Sequence, residues 1–322
     1  MKSALAPIIL FAYNRPWHTK QVLSALKNNV LAKESILHIF VDGPKYGADE
    51  ETIKQINDVR GIIMEEQWCG EVHFSISDKN IGCRDSILAG ISQIINIFGK
   101  AIILEDDIIT SPLFLTFMNN ALNYYVDRKS VFSISGWNMP PEILQIPADY
   151  PYDVYVSQRI LNWGWATWKD RWDQINWNWD FVPEFIKDRN KTNAFNRGGE
   201  DMTQMLFDMY RKKIDAWDIQ FAYAHFANHA VSIVPCKSYV NNIGMDGSGM
   251  HCKPNDRLNN NIEFAVRDPK FIDILYEDKR IINNFKQAFS SNILKRRKST
   301  MQEMIRSFLY KNKKIKNKNV YT

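Results

Sequence analysis

The run Ala-Ile-Ile-Leu-Glu-Asp-Asp at residues 101–107 decides how the rest of the chain reads. Its four apolar residues show no alternation, the pattern of a strand buried on both faces of a parallel sheet. Three carboxylates follow at once, at the strand's carboxyl end. Working outward, Pro7–Tyr13 (PIILFAY) is a first strand, and Pro16 opens a helix continuing through Val22, Leu23 and Leu26. Ile36–Val41 (ILHIFV) is a second strand, stopped by the turn Asp42-Gly43-Pro44. A helical pattern over about 50–67, a strand at Val72–Ser77 and a helix from Arg84 to Phe98 lead back to 101. This β-α-β-α-β-α-β order predicts an α/β fold, a Rossmann-like, mostly parallel sheet with helices on both faces. Ligands of such sheets bind beyond the carboxyl ends of the strands. Tyr13-Asn14-Arg15, Asp42-Gly43 and Glu105-Asp106-Asp107 all stand at such ends and converge on one rim.

Beyond residue 130 the periodicity loosens. Val131–Ser135 reads as a strand, a helix is expected from Gly199 to Lys213, and strand-like pieces fall near 231–241. Six of the ten tryptophans (Trp163, Trp165, Trp168, Trp172, Trp177, Trp179) crowd the stretch between. Indole faces stack on the apolar faces of sugar rings, although such a cluster equally fills a core. The division expected is 1–130 for nucleotide binding, 131–292 for the acceptor within one continuous domain, and 293–322 as a basic tail.

The 322 residues are 45% hydrophobic and 24% charged, ample for a large core. Cys69, Cys83, Cys236 and Cys252 have neither zinc-ligand nor disulfide-framework spacing, which points to a reducing compartment. The apolar start is cut short by Asn14 and Arg15 and has no cleavage site, so it reads as a buried strand rather than a signal peptide. No stretch approaches the roughly 18 apolar residues that span a bilayer. The net charge of +5 conceals an asymmetry: Leu294–Thr322 carries ten Lys/Arg and one acid, leaving a mildly acidic body at −4. That balance excludes a general nucleic-acid-binding surface.

Glu105, Asp106 and Asp107 repel one another and raise each other's pKa unless a counter-charge is present. Mn²⁺ or Mg²⁺ supplies one, taking one or two carboxylates and completing its shell with phosphate oxygens. A cation so held neutralises a departing nucleoside diphosphate.

The segment IILEDDIITSPLFLTFM resembles the metal-binding segment of GT-A glycosyltransferases, most closely the N-acetylglucosaminyltransferase I type, with Glu-Asp-Asp in place of DxD. IILFAYNRP is similar to that family's first strand, FVDG to its second, and Asn162-Trp163-Gly164-Trp165 followed by Trp172 to its acceptor-side Gly-Trp segment. The resemblance runs over about Pro7–Cys252 as short motifs in order, and the segment around Gly198–Met202 departs from it. It implies a GT-A fold, with Arg15 on the donor diphosphate, Asp42 on the base, Asp107 on the metal, and Glu105 and Asp106 toward donor ribose and sugar. It also implies a general base just before a Trp. Asp215, in Asp215-Ala216-Trp217, matches best; Asp218 is one alternative, and Asp201, in a Gly-Gly-Glu-Asp run like that of galactosyltransferases, is another.

Further candidates come singly. His251, after a glycine-rich turn, is a candidate metal or diphosphate contact, since imidazole suits Mn²⁺. Arg84 at a helix start is placed to reach donor phosphates. Trp163 and Trp165 are candidate acceptor contacts. The tail segment 293–309 is amphipathic and cationic, fit to lie on anionic lipid. The expectation is therefore a glycosyltransferase using a nucleotide sugar, a UDP-sugar first, with a glycan or lipid-linked oligosaccharide acceptor and inversion. It would act in bacterial surface-polysaccharide synthesis, in the cytoplasm, peripheral on the membrane's inner face. Three rivals stand: a retaining enzyme of the same fold, a nucleotidyltransferase, for which YNRPWH lacks the Gly-rich basic loop, and a non-catalytic carbohydrate-binding protein.

Overall fold

A computed structural model describes residues 4–247, 258–260, 262 and 266–289. The first half runs β1 (Ile8–Ala12), α1 (Pro16–Lys27), β2 (Ile36–Val41), α2 (Glu50–Met64), β3 (Glu71–Ile76), α3 (Cys83–Phe98) and β4 (Lys100–Glu105). Each expected element is there, displaced by no more than three residues at an end. The short β5 (Ile108–Thr110) and helix α4 (Phe114–Tyr124) follow. The second half holds β6 (Val131–Ser135), β7 (Val154–Ser157), β8 (Trp165–Trp168), α5 (Lys169–Trp172), α6 (Val182–Phe185), α7 (Arg189–Phe195), α8 (Met202–Tyr210), α9 (Asp218–Ala227), β9 (Val231–Pro235) and β10 (Val240–Asn242). A last described helix covers 279–289.

Eight strands form one sheet in the order β3-β2-β1-β4-β8-β6-β9-β7. The first four are mutually parallel; β8 runs antiparallel between β4 and β6, β9 is parallel to β6, and β7 is antiparallel at the edge. The fold is α/β with a mostly parallel sheet, as the strand-helix order requires. Both halves of the chain share this sheet, joined where Ile103 of β4 lies opposite Trp165 of β8.

Alternation along β1 shows why the apolar runs are continuous. Ile8, Leu10 and Ala12 enter the core built with α1, α2 and α4, while Ile9 and Phe11 enter the core built with α3, α8 and α9. A strand with a helix layer on each side has no polar face. Helix α3 packs so close that a Cβ on Gly90 would come 2.7 Å from the Phe11 ring. A second ladder, β5 with β10, closes over the acidic triplet: Asn242 lies opposite Ile108, and the Ile243 N–H donates to the Asp107 carbonyl at 2.9 Å.

No described helix is long and apolar enough to cross a membrane. His251 and the basic tail 293–322 lie outside the described residues.

Candidate active site

The carboxyl ends of β1, β2 and β4 open into one cleft of about 490 Å³. Tyr13, Asn14 and Arg15 line it from β1, Asp42 and Lys45 from β2, and Glu105, Asp106 and Asp107 from β4. Opposite stand Asn162, Trp163, Asp215, Trp217 and Asp218, so both halves of the chain line one cleft.

Arg15 is the hub. Pro16 starts α1 directly after it, and the Arg15 carbonyl accepts from the Thr19 N–H (3.0 Å) and hydroxyl (2.8 Å), fixing the backbone. Its guanidinium then reaches across to bond Asp106 and, at 3.0 Å, Asp107. Burial opposes the Arg15 charge, but the two carboxylates outweigh it and raise its pKa. One guanidinium does not balance three acids. Burial, then the charges of Asp107 and Asp106, push the Glu105 carboxyl up to about 8, and burial raises Asp107 despite Arg15. This excess of hard oxygen donors fits a divalent cation. Among the described residues no cluster of three His, Cys, Asp or Glu has metal-cage geometry. The fit is therefore to a cation held by one or two carboxylates, its shell finished by a ligand's phosphate oxygens. Gly244 leaves the room, for a Cβ there would stand 2.3 Å from Asp107 Oδ2 and 2.8 Å from Arg15 Nη1.

Asp42 shapes the cleft's far wall. Its carboxylate accepts from the N–H groups of Gly43 (2.9 Å), Ile81 (3.0 Å) and Gly82 (3.1 Å), drawing the loop ahead of α3 against the end of β2. Only glycine permits that approach at 43, where a Cβ would come 2.5 Å from the Lys79 nitrogen. The α3 N-terminus thereby opens on the cleft with Gly82, Cys83 and Ser86 in its wall. Cys83 is exposed at the cleft wall; desolvation by its surroundings, then the acids Glu105, Asp215 and Asp106, raises the pKa of its thiol.

Asp215 and Asp218 flank Trp217 where α9 begins. Asp215 is exposed and makes no hydrogen bond among the described residues. Asp218 is half-buried; burial raises its pKa, against Arg159 and the backbone N–H groups of the helix start. Trp163 is half-buried on the cleft wall, its ring 4.3 Å from that of Trp137.

Three expected contacts are elsewhere. Trp165 is 1% exposed in β8, packed on Trp172, Trp217 and Phe221, so it is a core residue and not a sugar platform. Alternation along β8 turns Trp165 into the sheet's helix-covered face while Trp163, before the strand, stays at the rim. Asp201 is not in the cleft wall; Arg159 takes both its oxygens, at 2.7 and 3.2 Å. Arg84, in the first turn of α3, is bonded to Asp85 at 3.0 Å and to buried Gln220 at 3.3 Å, and is also outside the wall. Sequence reading missed Lys45, Cys83, Trp217 and Asn242. Lys45 carries the same signal as Arg15, a polar side chain in the turn after a strand.

No known family matches the sequence. Among solved structures the fold is similar to the mannosyltransferase PcManGT from Pyrobaculum calidifontis in complex with GDP-Man and Mn²⁺, at 9% identity over 70% of each chain with a TM-score of 0.39. It is similar to S. aureus TarS at 12% identity, over 73% of this chain and 36% of that one, TM-score 0.36. UDP-glucose pyrophosphorylase complexed with UDP-glucose matches at 12% identity over 72% of this chain and 90% of that one, TM-score 0.36. Overlap this partial assigns no role to any residue.

Proposed function

We propose that the chain is a GT-A glycosyltransferase, moving a sugar from a nucleoside diphosphate to a hydroxyl of a glycan or lipid-linked glycan. The observation that carries this reading is the single cleft in which Arg15 and three acids from β1 and β4 face Trp163, Asp215 and Asp218. A cation of the Mn²⁺ or Mg²⁺ kind, held by Asp107 with Glu105 or Asp106 beside it, would stabilise the charge on the leaving diphosphate.

The chain's own residues do the rest. Arg15 would turn from the acids to the diphosphate, and the N–H groups at the start of α3 that Asp42 does not take would meet anionic oxygens. Asp215 takes the acceptor's hydroxyl proton as that oxygen attacks the anomeric carbon, and the bond from that carbon to the diphosphate breaks with its electron pair leaving on phosphate. Attack from the face opposite the leaving group inverts the centre. Trp163 positions the acceptor ring by stacking. The donor proposed first is a UDP-sugar, in bacterial surface-polysaccharide assembly.

The test is release of nucleotide from UDP-, GDP- and CMP-sugars with and without Mn²⁺. Release from one donor that needs the metal and disappears in Asp107→Ala supports the reading; release indifferent to EDTA refutes the cation site. Asp215→Asn should lower transfer by about 10²-fold or more while donor affinity stays. Loss of donor affinity instead would move Asp215 to the donor side.

A further inference from the structure

The ladder of β5 and β10 sets an asparagine beside the acids. Asn242 lies opposite Ile108, the residue that follows the triplet, and the next N–H in β10's direction, that of Ile243, donates to the Asp107 carbonyl at 2.9 Å. Gly244 then stands against both Asp107 and Arg15. Asn242 is 4% exposed, and it lines the cleft.

Its amide has a defined orientation. The atom that meets the Gly244 N–H, at 2.7 Å, is the oxygen, because an amide nitrogen has no lone pair to accept with. Nδ2 is therefore the end turned away from that bond, and among the described residues its two N–H groups have no acceptor. The turn itself needs only an oxygen, which aspartate or serine would supply equally. The bond to Gly244 thus leaves the amide nitrogen unexplained. An amide donor so deeply set is costly to leave unpaired, and a ligand oxygen in the cleft removes that cost.

We propose that Asn242 is a donor-binding residue, its Nδ2 donating to an anionic phosphate oxygen of the nucleoside diphosphate beside Asp107. This rests on the glycosyltransferase reading, in which a cation at the acids shares those oxygens. An amide suits the position. A lysine or arginine there would pair with the acids, as Arg15 does, and compete with the cation. An aspartate would add a further negative charge where the diphosphate arrives. Asparagine donates without a charge. The contact makes β10, from the second half of the chain, part of the grip on the diphosphate.

Isothermal titration calorimetry of the full chain with UDP and with GDP, each with Mn²⁺, tests this on whichever nucleotide the wild type binds. Asn242→Ser and Asn242→Asp keep an oxygen for the Gly244 N–H. Each should weaken nucleotide binding about tenfold or more, the loss of one hydrogen bond to a charged group. Any rise in melting temperature that Mn²⁺ alone gives the wild type should persist in Asn242→Ser, whose acids are untouched. Unchanged nucleotide affinity in Asn242→Ser overturns the proposal: loss in Asn242→Ala alone would mark a turn residue, and loss in Asn242→Asp alone a charge acting at a distance. Loss of the Mn²⁺ response together with nucleotide binding in Asn242→Ser would mean that the loop had moved, and overturns it too. A wild type that binds neither nucleotide overturns the nucleoside-diphosphate reading itself, and this contact with it.

Discussion

Acidification should destabilise the fold through one histidine. His225 sits in α9, fully buried, with its ring centroid 4.6 Å from that of Phe221 and 5.4 Å from that of Phe132. Nδ1 donates to the Phe221 carbonyl at 2.7 Å, which leaves Nε2 of the neutral ring to accept from the Ser133 hydroxyl at 2.8 Å. Burial lowers the His225 pKa from 6.5 to about 4, with the Phe221 carbonyl opposing. Above pH 6.5 both folded and unfolded chains hold this ring neutral. Between 6.5 and about 4 only the unfolded chain binds the proton, so stability falls as pH falls through that window and levels off below it. The gap is worth about 3 kcal/mol in full, of which about 2.5 kcal/mol is spent by pH 4.5. Urea unfolding by tryptophan fluorescence at intervals from pH 7.5 to 4.5, on the wild-type chain and His225→Gln, isolates this residue because the carboxylates titrate alike in both. The wild type should lose about 2.5 kcal/mol more than the variant across that range. Parallel curves would refute the reasoning, for they would mean the ring is charged or solvated at pH 7.

Three further outcomes follow from the cleft. Arg15→Ala leaves Asp106 and Asp107 uncompensated and should cost about 3 kcal/mol of stability, of which Mn²⁺ restores a part in a thermal-shift assay; no response to Mn²⁺ would speak against a cation beside these acids. Gly244→Ala places a methyl on Asp107 Oδ2 and beside Arg15, and by forcing that pair apart should lower urea stability and raise the Mn²⁺ concentration needed for half-maximal donor hydrolysis; an unchanged Mn²⁺ requirement would speak against a cation at Asp107. Trp163→Ala should raise the acceptor KM with stability nearly kept, whereas Trp165→Ala should cost about 3–5 kcal/mol of stability; equal effects of the two would undo their separation into rim and core.

The first half of the fold was legible because period and punctuation agree there. Ile36–Val41 is bounded by sequence alone, since Asp42-Gly43-Pro44 cannot continue a strand. The second half hides its register. Trp165–Trp168 is four residues with a Trp at each end, which reads equally as a sugar platform; only its pairing with β4 and β6 makes it an inner strand. β5 and β10 are three residues each and lie 130 positions apart, too short for a period and too distant for a turn signal. Helix α9 buries residues on nearly every side and so lacks an amphipathic stripe. The site divides in the same way. Arg15, Asp42 and the acids were visible as polar residues at strand ends, whereas the removal of Asp201 depends on Arg159, a partner 42 residues away that no local pattern indicates.

The charge balance of the cleft links these observations. Arg15 is the cation that the acids of β4 already hold, and the pKa of Glu105 stays raised with that guanidinium in place. A nucleoside diphosphate entering the same 490 Å³ brings further negative charge against Asp106 and Asp107. Arg15 already gives Nη1 to Asp107 and Nη2 to Asp106, so a diphosphate would share those donors or take the remaining edge of the guanidinium. Lys45 lines the same cleft from beyond the end of β2. On the proposed reading, a divalent cation at the acids after β4 would offset the charge that a diphosphate brings beside them.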